Sequence, residues 1–244
     1  MVPINDLAAV ALALDRHAGQ VAAIIVEPVA ANVGVIAPAP GYLRGVRELA
    51  TRAGAVLIFD EVITGFRVAH GGAQARYEVR PDLTVLGKII GGGMPVGAYG
   101  GKGDLMRLIA PEGPVYQAGT LSGHPLTMAA GLATLDQLRP ERYEDLEATG
   151  AELEAGLATA ARDAGRTISI ARVGSLLTVF FNSTVPTTTD EALASDREAY
   201  ARFFGAMLDA GVLLPPSQFE AWFISLAHGA EEIGATIEAA RAAF

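Results

Sequence analysis

Glu27, Asp60 and Lys88 each follow a short apolar run. The runs read Ala22-Ala23-Ile24-Ile25-Val26-Glu27, Ala55-Val56-Leu57-Ile58-Phe59-Asp60, and Asp82-Leu83-Thr84-Val85-Leu86-Gly87 with Lys88 next. If the runs are parallel strands, their carboxyl ends share one edge of a sheet, which is where open α/β sheets bind ligands. Two carboxylates and a primary amine would then converge, a set suited to proton transfer and to amine–carbonyl chemistry. A plainer reading stays open beside it: strands end at the surface, and charges belong at surfaces.

Lys88 lies between Gly87 and Ile89-Ile90, with Gly91-Gly92-Gly93-Met94-Pro95 beyond. Apolar neighbours are expected to desolvate the ammonium and favour the free amine, the form that attacks an aldehyde to give a Schiff base. The glycines would allow a ligand close to the backbone. They make neither a Walker loop nor a dinucleotide fingerprint, because Lys88 precedes them and G-x-G-x-x-G is not met. Asp60 offers the complement: a carboxylate against a pyridine nitrogen keeps that ring protonated and able to absorb carbanion electrons. Lys88 follows Asp60 by 28 residues, room enough for a crossover between parallel strands.

The elements that must position these residues alternate. Between the first two runs, Leu43, Val46, Leu49 and Ala50 recur at helical spacing over Gly41–Ala53, and Gly54 is a natural stop. Continuous apolar runs between helices indicate strands buried on both faces, hence an α/β fold with a mostly parallel sheet. After Thr120 the pattern changes. Helices are expected over Leu121–Leu138 and Tyr143–Ala164, strands over Thr167–Ala171 and Leu176–Phe181, and helices over Asp196–Ala210 and Gly229–Phe244. Asn182–Asp190, rich in Thr and Pro, reads as a loop. The division falls near residue 138: 1–138 as one region and 139–244 as a smaller α+β domain.

Composition narrows the partners. Eighteen Lys and Arg against 27 Asp and Glu give a net charge of −9, which argues against nucleic acid and anionic membrane. No apolar run is long enough to span a bilayer, and Leu7–Leu14 lacks the basic flank of a secretory signal. The expected setting is the cytoplasm. With no Cys and four dispersed His, a structural metal site is not expected.

The segments Val26-Glu27-Pro28-Val29, Phe59-Asp60-Glu61-Val62-Ile63-Thr64-Gly65-Phe66-Arg67, Leu86-Gly87-Lys88-Ile89-Ile90-Gly91-Gly92-Gly93 and Gln117-Ala118-Gly119-Thr120-Leu121-Ser122-Gly123 occur in that order. Together they resemble the class III aminotransferase family of fold-type I pyridoxal-phosphate enzymes, along essentially the whole chain. Asn32-Val33-Gly34, Gly174–Phe181, Leu214-Pro215-Pro216-Ser217-Gln218-Phe219-Glu220-Ala221, Ser225-Leu226-Ala227-His228 and Ile237-Glu238-Ala239-Ala240 resemble its aminomutase branch, which moves an amino group within one amino-aldehyde substrate.

The resemblance implies a fold and a set of roles. Residues 1–138 would be the C-terminal half of a cofactor-binding large domain and 139–244 the C-terminal small domain. The cofactor would be pyridoxal 5'-phosphate, alternating with pyridoxamine 5'-phosphate. Lys88 would bind it covalently and shuttle a proton, and Asp60 would pair with its pyridinium nitrogen. Val62 would pack on the ring, or be an ordinary core valine. Asn32 would lie near the phenolic oxygen, or be a turn asparagine. Gly119 and Thr120 would contact the phosphate, typically that of a neighbouring subunit in a homodimer; alternatively Thr120 caps the helix after it. Glu220 would approach the substrate amino groups, or be a solvated loop residue.

Two departures qualify the resemblance. His124 stands where the family usually has Asn. Family members also carry a long portion before the strand at Ala22, with a phosphate-cupping turn, a ring-stacking aromatic and contacts to the substrate carboxylate. An aminotransferase using an external amino donor, and a piece that needs a complementing N-terminal segment, therefore remain beside the aminomutase reading.

Overall fold

The computed structural model describes residues 1–244. Strands β1 (Ala23–Val26), β2 (Val56–Asp60) and β3 (Leu83–Gly87) lie side by side and parallel, and β4 (Gly97–Gly101) pairs antiparallel with β3. The three apolar runs are thus strands of a mostly parallel sheet. β4 was not foreseen. Its sequence, Gly-Ala-Tyr-Gly-Gly, has no strand pattern, and it is held by its ladder to β3, from Leu83↔Gly101 to Gly87↔Gly97.

Side-chain alternation gives the sheet two unlike faces. Leu57 and Phe59 are fully buried against Leu43, Val46 and Ala50 of helix α2 (Tyr42–Ala53). Gly54, at φ 69°, ends α2 by returning its N–H to Ala50 and Thr51, a left-handed stop that glycine adopts without penalty. The opposite face carries Ile25 and Ile58, in register with each other, and Asp60, in register with Val85 and through it with Tyr99. This face is open: Ile25 is 62% exposed and Tyr99 41%. Helix α1 (Leu7–Arg16), capped by Asp6, packs on α2. The crossover from β2 to β3 holds only α3 (Gly72–Arg76).

At the amino end of β3, Asp82 is 4% exposed. Its carboxylate meets Arg47 Nη1 at 2.7 Å, Lys102 Nζ at 2.5 Å and the Leu57 N–H at 2.7 Å. Burial raises its pKa, but the hydrogen bonds from Lys102, Leu57 and Arg47 outweigh burial and bring it down to about 2.

After the short helix α4 (Gly103–Met106), helix α5 runs Pro125–Leu135, shorter than the expected Leu121–Leu138. Gly123 is left-handed at φ 69°, and Pro125 occupies the first turn, where a missing N–H costs nothing. Helices α6 (Arg142–Asp163), α8 (Arg197–Asp209) and α9 (Ala230–Ala243) fall within a residue or two of expectation, with a short α7 (Thr189–Leu193) before α8. β5 (Ser169–Val173), β6 (Leu176–Phe180) and a two-residue β7 (Trp222–Phe223) form a second, antiparallel sheet. Leu153, Leu157, Leu177, Phe203, Met207 and Ile233 centre the core beneath it. A further core joins the two sheets. It packs Val29, Val35 and Ile36 from the turn after β1, and Ile63 and Val68 from the turn after β2, onto Leu176 and Phe180. The turns at the carboxyl ends of the strands are therefore clamped by the second sheet.

Candidate active site

Asp60 is the last residue of β2 and lies half-buried on the open face. The Glu61 N–H continues the ladder to Val85 O at 2.9 Å. Asp60 Oδ1 then accepts the Val62 N–H at 3.1 Å, a local turn of the kind aspartate favours. This swings Val62 over β3: a Cβ built on Gly87 would lie 3.3 Å from Val62 Cγ1. Lys88 follows immediately, opening a 3-10 turn, Lys88–Gly91. Its φ of 49° is left-handed, which costs a non-glycine residue about 1–2 kcal/mol.

One expectation for this segment is corrected. Lys88 is exposed, so this chain does not supply the apolar enclosure expected from its neighbours, and Ile89 and Ile90 are half-buried. Of the three glycines, Gly92 packs on α5, Gly91 on Val96, and Gly93 faces open space. A Cβ on Gly92 would lie 2.3 Å from Ala130 O, and one on Gly131 would lie 2.2 Å from Ile90 O. Backbone touches backbone there, which fixes the turn that presents Lys88.

After β1, the Glu27 carboxylate accepts the Ala31 N–H at 3.0 Å and the Asn32 side-chain amide at 2.9 Å. Ala30 and Ile36 bridge across the same loop. Asn32 itself is exposed at the tip. Glu220 is also exposed, on the loop leading to β7, and that loop docks on the Asn32 turn through the Gly34 N–H to Phe219 O at 2.6 Å.

The structure thus brings Asp60, Val62 and Lys88 to one sheet edge, and ties the Asn32 turn to the Glu220 loop. Gly119 and Thr120 are exposed, in the segment before α5. Gly119 also lines an apolar groove of about 850 Å³ with Phe66, Leu86, Val96, Met128 and Leu132. Thr120 is not a helix cap: His124 holds that position and makes no side-chain capping bond. Any phosphate contact there would come from turn N–H groups and the Thr120 hydroxyl.

Two site-adjacent residues escaped the sequence reading. Glu61, 1% exposed, accepts from Thr64 Oγ1, from the Ala73 and Gln74 N–H groups and from Gln74 Nε2. Arg67 is tied by Nη1 to Ile224 O at 2.8 Å, and burial lowers its pKa, with Tyr143 opposing. Glu61's adjacency to Asp60 was the only local signal for it. Arg67 had none, because its partner is 157 residues away.

The model of the class-III aminotransferase family matches residues 4–235. The chain belongs to that family. It is 56% identical over all 244 residues to a glutamate-1-semialdehyde 2,1-aminomutase of Thermomicrobium roseum, but spans only 57% of that relative's length. Among solved structures, an omega-transaminase from Sphaerobacter thermophilus superposes with a TM-score of 0.93 at 33% identity, covering 98% of this chain and 55% of that one. A glutamate-1-semialdehyde aminomutase from Pseudomonas aeruginosa PAO1, solved in complex with PMP, gives 0.87 at 29% identity, covering 99% and 55%. Class III aminotransferases are pyridoxal-phosphate enzymes, and the donor set fits that group. Lys88 presents an exposed amine just after Gly87, the residue under Val62, and Asp60 keeps Oδ2 outside the Val62 hydrogen bond.

Proposed function

We propose that this chain carries the amine, the ring-binding carboxylate and the substrate loop of a cytoplasmic glutamate-1-semialdehyde 2,1-aminomutase, which forms 5-aminolevulinate for tetrapyrrole synthesis. The observation that carries this reading is 56% identity along the entire chain to a relative of that name. The placement of Asp60 and Lys88 on the ends of adjacent parallel strands supports it. Residues 1–138 would be the C-terminal half of the large domain and 139–244 the small domain.

Bound pyridoxal phosphate would supply an electron sink. Lys88 Nζ would hold it covalently and, once released, carry a proton between the substrate and cofactor carbons. Asp60 Oδ2 would keep the ring nitrogen protonated, and Val62 would limit the ring on one side. Asn32, oriented by Glu27, would bond the phenolic oxygen. Gly119 and Thr120 would hold the phosphate of a second subunit in a homodimer, and Glu220 would receive the substrate amino groups.

Turnover of glutamate-1-semialdehyde without any added amino donor tests this directly. Product formation is expected; product only when an external amine is supplied would favour a class III aminotransferase, the reading that the superposition on an omega-transaminase supports. The open sheet face and the exposure of Lys88 further support a requirement for a complementing N-terminal segment. The isolated chain is then expected to retain cofactor weakly. Tight retention through gel filtration would contradict that requirement.

A further inference from the structure

Four buried side-chain polar atoms lack a hydrogen-bond partner, and all fall in one region: Arg67 Nε, both amide atoms of Gln218, and Trp222 Nε1. Buried polar atoms are nearly always paired, so such a concentration calls for a reason. Trp222 Nε1 lies close enough to bear on the Tyr200 hydroxyl without good hydrogen-bond geometry. Burial raises that hydroxyl to about 12, with the Trp222 contact opposing. The Tyr200 hydroxyl donates to Pro215 O at 2.5 Å. The segment from Pro215 to Ile224 is thus held by contacts that are individually unusual.

Arg67 is central to them. It makes no ion pair with any carboxylate. Its Nη1 donates to Ile224 O at 2.8 Å, and its guanidinium carbon lies 5.3 Å from the Phe223 ring centroid. Its own carbonyl accepts from Ser175 Oγ at 3.3 Å, and Ser175 O accepts the Ile224 N–H at 3.0 Å. A largely buried cation without a counter-ion is costly, and an apolar side chain would be cheaper at such a position. What the cation supplies is a bond from the Asp60 turn to β7. That strand is only two residues long, with two register pairs to β6, and it begins two residues after Glu220.

We propose that Arg67 is a positioning residue: it fixes the Glu220 loop against the turn that follows Asp60, so that a substrate amino group meets Glu220 at a set distance from the ring site. Gly34, through Phe219 O, holds the same loop from the Asn32 side. The inference rests on the role proposed above for Glu220, but the clamp can be tested without that role.

The single tryptophan, Trp222, reports on the loop. The experiment compares the wild-type chain with Arg67→Met and Arg67→Lys, by acrylamide quenching of Trp222 and by hydrogen exchange. Arg67→Met is expected to speed exchange of amides 217–224 by about tenfold, with α6 and α9 unchanged, and to raise quenching. Arg67→Lys, which keeps a donor for Ile224 O but loses the planar guanidinium, is expected to restore much of the protection. Unchanged exchange in Arg67→Met, or loss spread evenly over the chain, would each overturn the proposal. Borohydride labelling of Lys88 by excess pyridoxal phosphate, measured on the same samples, is expected to persist in Arg67→Met. Its absence from wild type would count against the function proposed above and leave the clamp result standing.

Discussion

Val62 lies directly over Gly87, so that a Cβ on the glycine would come 3.3 Å from Val62 Cγ1 and 3.4 Å from Val96 O. This contact joins the turn after β2 to the residue that precedes Lys88. The backbone at Gly87 is extended, a conformation open to any residue, so the constraint is packing alone. Gly87→Val should cost about 1–3 kcal/mol through overpacking, seen as a lower urea midpoint, and should reduce cofactor labelling at Lys88. A Gly87→Val chain as stable and as reactive as wild type would mean that Val62 does not set the spacing.

Glu61 makes the second prediction. Its buried carboxylate accepts from four donors spread over Thr64, Ala73 and Gln74. It also stands so close to Gly72 that a Cβ there would lie 2.4 Å from Oε2. Glu61→Gln turns an NH₂ toward those donors and should cost about 2–3 kcal/mol, the scale of a buried charged hydrogen bond left unmade. Chemical denaturation measures this; a loss within a few tenths of a kcal/mol would contradict it.

Much of this arrangement was legible in the chain, for reasons that can be named. β1, β2 and β3 were visible because each is a continuous apolar run closed by a charge or by Gly-Lys, and parallel pairing then placed Asp60 beside the Lys88 strand. β4 was not, because three glycines in five residues carry no pattern and only the β3 ladder orders them. The start of α5 was misplaced because Leu121 and Ser122 look helical until the left-handed Gly123 and Pro125 intervene. Lys88 was expected among apolar groups on the strength of its sequence neighbours, but exposure depends on what covers the sheet face, which no local window reports. Arg67 carried no role in the sequence and Glu220 owed its candidate role to the family resemblance alone, because their setting arises from contacts between distant segments.

Asp82 predicts an acid response. Its pKa is depressed to about 2 in the folded chain, below the ordinary unfolded value of about 3.9. Its stabilisation is therefore complete above the unfolded value and is lost as pH falls through the folded one, in the window from about 4 to 2. Lys102 is 60% exposed in its side chain, so screening trims the contribution to about 1–2 kcal/mol. Thermal unfolding of Asp82→Asn between pH 2 and 6 should show a smaller loss of Tm on acidification than wild type. Parallel curves would remove Asp82 as the group responsible.

The chain contains two lysines, Lys88 and Lys102, and the structure treats them oppositely. Lys102 is engaged by Asp82 at 2.5 Å, whereas Lys88 is exposed with no hydrogen bond or ion pair to its side chain. The most direct measurement is borohydride reduction of the chain with excess pyridoxal phosphate, followed by peptide mapping. Labelling concentrated on Lys88, lost in Lys88→Ala and weakened in Asp60→Asn, is the predicted result. Equal labelling of Lys88 and Lys102, or labelling of Lys88 indifferent to Asp60, would contradict the assignment of Lys88 as the cofactor lysine.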